Sequence, residues 1–173
     1  RFDGVLSARQ IDLDRLAGEL EAKTRAPPIV TIRRLVALTG QAFKPTFPIQ
    51  IGVGIDQATL GGADIMNVRG DVSTAPDGWT LDRFEFRAPG GTQATLSGQL
   101  AITSSGLEFA GPAEVAANDP RALTAWLEAR AEAPSTVPPR PLRLRGDVTL
   151  GSEKVAVERL NASFDRGSLS GSF

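Results

Sequence analysis

Asp12 and Asp14 are the first residues in this chain whose types and spacing could do chemistry. Alternate side chains of an extended segment share a side, so the two carboxylates could grip a hard cation. Such an ion wants six or more oxygens, and no neighbouring cluster supplies the remainder. Helix capping is the favoured reading, because a short carboxylate accepts the orphan amide hydrogens of a first turn. Gly90-Gly91-Thr92 could open a phosphate cradle. Neither a Lys-Ser/Thr pair nor a helix start follows it, so a hairpin turn accounts for it better. Arg-Gly-Asp occurs twice, at 69–71 and at 145–147. Adhesive recognition of that triplet requires an exposed loop, whereas both copies lie inside alternating apolar patterns with the glycine on the apolar side. Trp126 sits on a helical stripe and reads as a core anchor rather than a stacking platform.

The residues that are missing narrow the chemistry further. The chain has no histidine, cysteine or tyrosine. The commonest general base and metal ligand is therefore absent, and so are disulfides and thiolate sites. No acid, base and nucleophile can be assembled, and the expectation is a protein that is not an enzyme, with no cofactor and no metal. The formal net charge is −1, and sixteen arginines against three lysines are interleaved with acids. Nucleic acid, which needs a basic face to neutralise phosphates, is excluded as a partner on that ground.

The elements that must position these residues follow from length and periodicity. With 173 residues, 41% of them hydrophobic and 23% charged, the chain can bury a sizeable core. Val5 to Leu13 reads as a strand running into Asp12 and Asp14 as caps. Leu16 and Leu20 then mark a short helix, Pro27-Pro28 interrupts it, and Ile29, Ile32, Leu35 and Val36 mark a second, with Gly40 placed for a C-terminal cap. From Phe47 the period becomes two. Gly61-Gly62, Pro76-Asp77-Gly78, Pro89-Gly90-Gly91 and Ser104-Ser105-Gly106 punctuate the strands that follow, and such short links imply antiparallel neighbours. Asn118-Asp119-Pro120 starts a helix carrying Leu123, Trp126, Leu127 and Arg130 on one face.

The expected fold is thus α+β, mainly β: an antiparallel meander sheet with short helices packed on it. Residues 1–132 make a first unit, with helices over 14–39, a meander over 47–110 and a helix over 119–131. A proline-rich linker occupies 133–141, and 142–173 is a second, truncated meander. The division rests on internal similarity. Val68-Arg69-Gly70-Asp71-Val72 is matched by Leu144-Arg145-Gly146-Asp147-Val148, and Leu81-Asp82-Arg83-Phe84 by Val157-Glu158-Arg159-Leu160 in the same frame. After a short deletion Leu96-Ser97-Gly98 meets Leu169-Ser170-Gly171. Repeats of this kind extend an architecture in one direction.

The apolar rows carry the remaining functional signal. Ile49, Ile51, Val53, Ile55, Val68, Val72, Leu96, Leu100, Leu142, Leu144, Val148 and Leu150 alternate with polar residues or glycine. They either face helices across a sealed core or leave part of a sheet open as an apolar groove, since few helices are available to cover so many strands. No run of about 18 apolar residues exists to span a bilayer. Arg1 at one end and an alternating pattern still running at Phe173 read as cut ends of a longer chain. Unpaired strands at such ends would be open to edge-to-edge self-association.

Several phrases resemble the AsmA family: Ile11-Asp12-Leu13-Asp14-Arg15-Leu16, Gly-Asp-Val with a later Leu-x-x-Phe, Pro89-Gly90-Gly91-Thr92 followed by Leu96-Ser97-Gly98, Gly111-Pro112, and the Asp119-to-Leu127 helix with its tryptophan. The resemblance covers most of the chain through loose motifs. It implies an internal periplasmic segment of a protein anchored in the inner membrane of Gram-negative bacteria by a segment not included here. It further implies a part in outer-membrane biogenesis, with phospholipid acyl chains lying in a hydrophobic β-groove beside adjoining repeats of the parent chain. It supplies no catalytic residues. The competing expectation is a structural spacer or protein-docking domain with a sealed core.

Overall fold

The computed structural model describes residues 2–18, 26–39, 47–75, 78–103, 106–151, 155–164 and 167–172. Leu20, Gly40, Pro76, Asp77, Ser104, Ser105 and Phe173, to which the sequence assigns helix, cap, turn or strand roles, lie outside them. Among the described residues nine strands form one open sheet in chain order: β1 Phe2–Asp12, β2 Ile49–Leu60, β3 Ala63–Ala75, β4 Gly78–Ala88, β5 Thr92–Thr103, β6 Gly106–Ala117, β7 Leu142–Leu150, β8 Val155–Phe164 and β9 Gly167–Gly171. Helices α1 Leu13–Leu16 and α2 Pro28–Thr39 fall between β1 and β2, and α3 Pro120–Leu127 falls between β6 and β7. The sheet is mixed and mostly antiparallel, with the short helices packed on it. Among the described residues β1 and β9 each have a neighbour on one side only.

The one departure from a pure meander is β1, which pairs with β2 in parallel, Leu6 beside Val53 and Ala8 beside Ile55. A tight hairpin cannot join parallel neighbours, and the residues spent on α1 and α2 form the crossover that can. Sequence period identifies β1 as a strand but carries no information on its direction relative to β2.

Helix limits also differ from expectation. Asp12, not Asp14, caps α1, its Oδ1 accepting from the Arg15 amide at 2.9 Å. Gly18 at φ 87° lies just past the short α1, and Pro28 opens α2 rather than breaking a helix. The third helix ends at Leu127, short of the expected 131, because Ala129 takes φ 54° and turns the chain away. Beyond it the proline-rich stretch is exposed, yet the Val137 carbonyl accepts from Arg121 Nη1 at 3.1 Å. The strands on either side of that stretch are adjacent, since β6 and β7 pair from Ala117–Leu142 to Phe109–Leu150.

Register decides which side chains meet. Cross-strand partners share a face, so one row runs Ile51–Val72–Leu81–Gly98 and is taken up beyond the close approach of β5 and β6 by Gly111–Val148–Val157. A Cβ added to Gly111 would stand 2.6 Å from the Gly98 Cα and 2.1 Å from the Ser97 carbonyl oxygen, so only glycines allow the two strands to close there.

Three irregularities keep the rows in phase. Across β1, β2 and β3 the ladder skips one row, Arg9–Asp56–Asn67, where Asn67 takes φ 53°. Apolar positions change parity on crossing it, from Ala8, Ile55 and Val68 to Ile11, Ala58 and Ile65, and all six stay in one cluster. Arg69 braces this row: its Nη1 donates to the carbonyls of Ile55 (2.8 Å) and Val68 (2.9 Å), and its Nη2 meets Asp56 Oδ1 at 2.6 Å. The first Arg-Gly-Asp triplet is therefore built into the sheet, with its arginine bonding backbone. In β4 the bulge lies between Leu81 and Phe84, and in β8 it centres on Arg159 at φ 51°, which pairs with Asp147 at 2.7 Å.

Replacing Arg69 with methionine keeps the aliphatic stem and removes the fork that serves two carbonyls. The expected loss is about 1–2 kcal/mol in urea denaturation, while Arg145→Met, for which the corresponding contacts are not observed, should lose less.

Candidate functional site

All twelve apolar candidates lie on a single face. Val53 and Ile55 stand opposite Gly70 and Val68, and Ile51 opposite Val72. Leu96 stands between Phe84 and Ala113, and Leu100 between Trp79 and Phe109. Leu142, Leu144, Val148 and Leu150 stand opposite Ala117, Val115, Gly111 and Phe109, and Ile49 is beside Phe2. The register adds Leu81, Phe84, Phe86, Val115, Val157, Leu160 and Ala162 to the same face.

This face carries no charged side chain among the described strand residues. Its polar exceptions are Thr74, whose Oγ1 accepts from the Ile49 amide (3.0 Å), and Thr92, whose hydroxyl donates to the Pro89 carbonyl (2.7 Å). The opposite face holds Asp56, Asp64, Arg69, Asp71, Arg83, Glu85, Arg87, Glu114, Arg143, Arg145 and Asp147. The segregation spans the full width of the sheet.

Burial along the apolar face is uneven. Ile49, Ile55 and Val68 are buried, whereas Ile51, Val53, Val72, Leu96, Leu100, Leu142, Leu144, Val148 and Leu150 are half-buried. At the margins exposure grows: Phe2 and Leu6 on β1 are 57% and 56% exposed, and Phe164 and Leu169 on the opposite side are 52% and 65%. Large exposed apolar side chains on this face are thus concentrated at its two margins.

The helices gather at one end. Asp14, buried on α1, accepts from the Gly61 amide (Oδ1, 2.8 Å), the Gly62 amide (Oδ2, 2.8 Å) and the Thr31 hydroxyl (3.1 Å), tying α1, α2 and the β2–β3 turn together. Trp126 Nε1 donates to the Leu60 carbonyl at 2.8 Å, and the indole packs against the cluster of Ile55, Ala58, Leu60, Ile65 and Val68. At the neighbouring β4–β5 turn the Asp119 amide donates to the Gly90 carbonyl at 2.9 Å. Gly90-Gly91-Thr92 is thus a turn under α3. Asp12 and Asp14 do not share a cation: one is a cap and the other a buried acceptor of three donors. No group of three or more potential metal ligands occurs among the described residues, and no helix there is long and apolar enough to cross a membrane.

Sequence reasoning missed the aromatic and β8 members of the face because bulges break the period. Simple alternation groups Leu81 with Arg83 and Glu85; the bulge in β4 instead brings Leu81 into line with Phe84 and Phe86. The usable signal was the pair of consecutive polar residues, Asp82-Arg83 and Glu158-Arg159, at which the period must slip.

Two outcomes test the closed end. Asp14→Ala leaves the buried Gly61 amide, the partly buried Gly62 amide and the buried Thr31 hydroxyl without their acceptor and should cost about 2–4 kcal/mol by chemical denaturation. The Arg121 guanidinium, hydrogen-bonded to the Asp119 side chain, lowers the Asp119 pKa below its ordinary 3.8, against a smaller opposing effect of burial. A depressed carboxylate contributes stability that is present above its unfolded pKa and is lost as pH falls through the folded one. The Asp119 carboxyl resonance should titrate below 3.8, move upward in Arg121→Ala, and report fraying of α3 only in acid. No known protein family, characterised protein or solved structure matches this chain, so its function is read from the geometry of the face.

Proposed function

We propose that this chain is a non-enzymatic periplasmic module of an AsmA-like protein involved in outer-membrane biogenesis, forming part of a hydrophobic β-groove that carries phospholipid between membranes. The finer division of the fold into two related helix-plus-meander repeats belongs to the same proposal, as do an inner-membrane anchor elsewhere in the parent and adjoining repeats that would prolong the groove. One observation carries the reading: an uncharged face that crosses nine strands, with helices packed at one end of it.

The mechanism is passive. Acyl chains laid along the strands leave water at about 0.8 kcal/mol per buried methylene. A strand the length of β7, nine residues, spans roughly 30 Å, twice the ~15 Å depth of one leaflet of a hydrocarbon core. Among the described strand residues the face offers no cation to hold a headgroup, so selection would act on hydrocarbon while the headgroup stays at the open margin. Thr74 and Thr92, both already hydrogen-bonded, do not compete with that.

The alternative is a spacer or protein-docking domain with a sealed core, favoured by the packed cluster beneath α3. Val148→Asp separates the two. In a sealed core an unpaired carboxylate costs several kcal/mol; on an open groove it should cost about 1 kcal/mol or less in urea denaturation. The purified chain should yield stoichiometric phospholipid when extracted with organic solvent and analysed by mass spectrometry, and Val148→Asp should yield far less while keeping its circular dichroism. A dry extract from the parent chain, together with unfolding of the variant, would sink the groove reading.

A further inference from the structure

The charged face of the sheet carries a pair of cations that no carboxylate grips. Arg143 and Arg145 lie two residues apart on β7, both exposed and on the same side, which sets their Cα atoms about 7 Å apart. On this face Arg69, Arg83 and Arg159 are each tied to a carboxylate. Neither Arg143 nor Arg145 has an ion pair or a side-chain hydrogen bond among the described residues.

The matched hairpin shows how this comes about. In β3–β4 Arg69 stands opposite Glu85, whereas in β7–β8 its counterpart Arg145 stands opposite Asn161. Two residues earlier, Arg143 occupies the place that Asn67 holds in the first copy. The second hairpin therefore has an amide in place of an acid and a cation in place of an amide. Its surroundings add donors. Arg143 stands between Ala116 and Ser163, and Ser163 faces Ser168 on β9. Neither serine hydroxyl has a side-chain hydrogen bond among the described residues. Asn161 contributes less, since its Nδ2 is given to the Arg159 carbonyl at 3.4 Å. Glu114, opposite Arg145, is the one acid at the rim among the described residues. Together these side chains line a half-open groove of about 320 Å³.

We propose that this groove binds a phosphate group, either of a soluble phosphate ester or of a lipid phosphomonoester headgroup. A carboxylate has two oxygens and is satisfied by a single guanidinium fork. A phosphate monoester presents three strong acceptor oxygens and makes use of two forks. The hydroxyls of Ser163 and Ser168 supply further donors. Glu114 opposes the anion and holds its affinity down. The site lies on the reverse of the apolar face, so it stands or falls independently of whether that face carries lipid.

Nitrogen-15 NMR of the arginine Nε–H groups of the 173-residue chain, titrated with inorganic phosphate at constant ionic strength, tests it. Saturable shifts are expected for Arg143 and Arg145 with one shared dissociation constant. Arg87, exposed between Met66 and Gln93 with no second arginine beside it, should not follow them. Arg143→Gln and Arg145→Gln should each weaken binding about tenfold or more, with circular dichroism unchanged because both side chains are exposed. Glu114→Gln should tighten it about two- to fivefold. Sedimentation with vesicles of phosphatidic acid in phosphatidylcholine, against phosphatidylcholine alone, separates the two sources. A chain that pellets only with the acidic vesicles, and no longer does so with both arginines replaced, reads a lipid headgroup. A chain that stays in solution while its guanidiniums titrate takes a soluble ester. Shifts that never saturate, shifts that Arg87 shares, or an affinity unchanged in both single arginine variants would overturn the proposal.

Discussion

Pleat alternation governs this molecule, because a strand displaced by one residue turns its whole apolar set to the other side. Nine strands must agree on the side, and the sequence does not keep strict period two along all of them. The agreement is restored at defined points: the skipped row Arg9–Asp56–Asn67, the bulge between Leu81 and Phe84, and the bulge at Arg159. Asparagine tolerates the left-handed region better than most residues, which suits Asn67 to its place. Arg159 has no such tolerance, and an ion pair to Asp147 on the neighbouring strand accompanies its strained backbone. Without these corrections charged residues of β4 and β8 would enter the apolar face, and its uniformity would be lost.

The two ends of the face are built by different physics. Under the helices, small residues pack to nearly complete burial: Ala58 is 1% exposed and Ala117 2%. Hydrogen bonds fix the geometry there, with Asp14 collecting two turn amides and Trp126 reaching the Leu60 carbonyl. That end supplies cooperative stability. Away from it, large side chains such as Leu96, Leu100 and Val148 remain half-buried. Their rows are held by ladder hydrogen bonds and by cross-strand neighbours on the same face. Few contacts there demand a particular side-chain shape.

Much of the sheet was legible from local chemistry. Alternation found the strands from Ile49 to Phe109 and from Leu142 to Phe164, and turn residues such as Gly61-Gly62 and Pro89-Gly90-Gly91 fixed their order. Asn118-Asp119-Pro120 gave the start of α3, but its end depended on Ala129 entering a conformation that alanine seldom adopts. The parallel placement of β1 was not legible, since strand direction is settled by where α1 and α2 dock. Alternation places the twelve apolar residues on one face because each lies between bulges. Phe84, Phe86 and Leu160 lie just beyond one and were therefore missed. Sequence position alone makes Asp14 a cap; its partners Gly61 and Gly62 are remote in the chain, and only the fold brings them to it.

The matched segments show how far internal similarity reaches into structure. In β3–β4 the pairs Arg69–Glu85, Val72–Leu81 and Ser73–Thr80 have counterparts in β7–β8 at Arg145–Asn161, Val148–Val157 and Thr149–Ala156, each shifted by the same interval. The bulge recurs between them in both hairpins. A hairpin that keeps its register and its irregularity while most of its side chains change is specified by its polar breaks and glycines rather than by any single contact. The third strand departs: Leu96 pairs with Phe84, but Leu169 pairs with Ala162 rather than with Leu160, the counterpart of Phe84. The displacement is two residues, an even number, so Leu169 still faces the apolar side. Strands may therefore slide along one another in this architecture, provided they slide by whole pleats. What is held fixed from one hairpin to the next is the face, and the face is what adding further strands would extend.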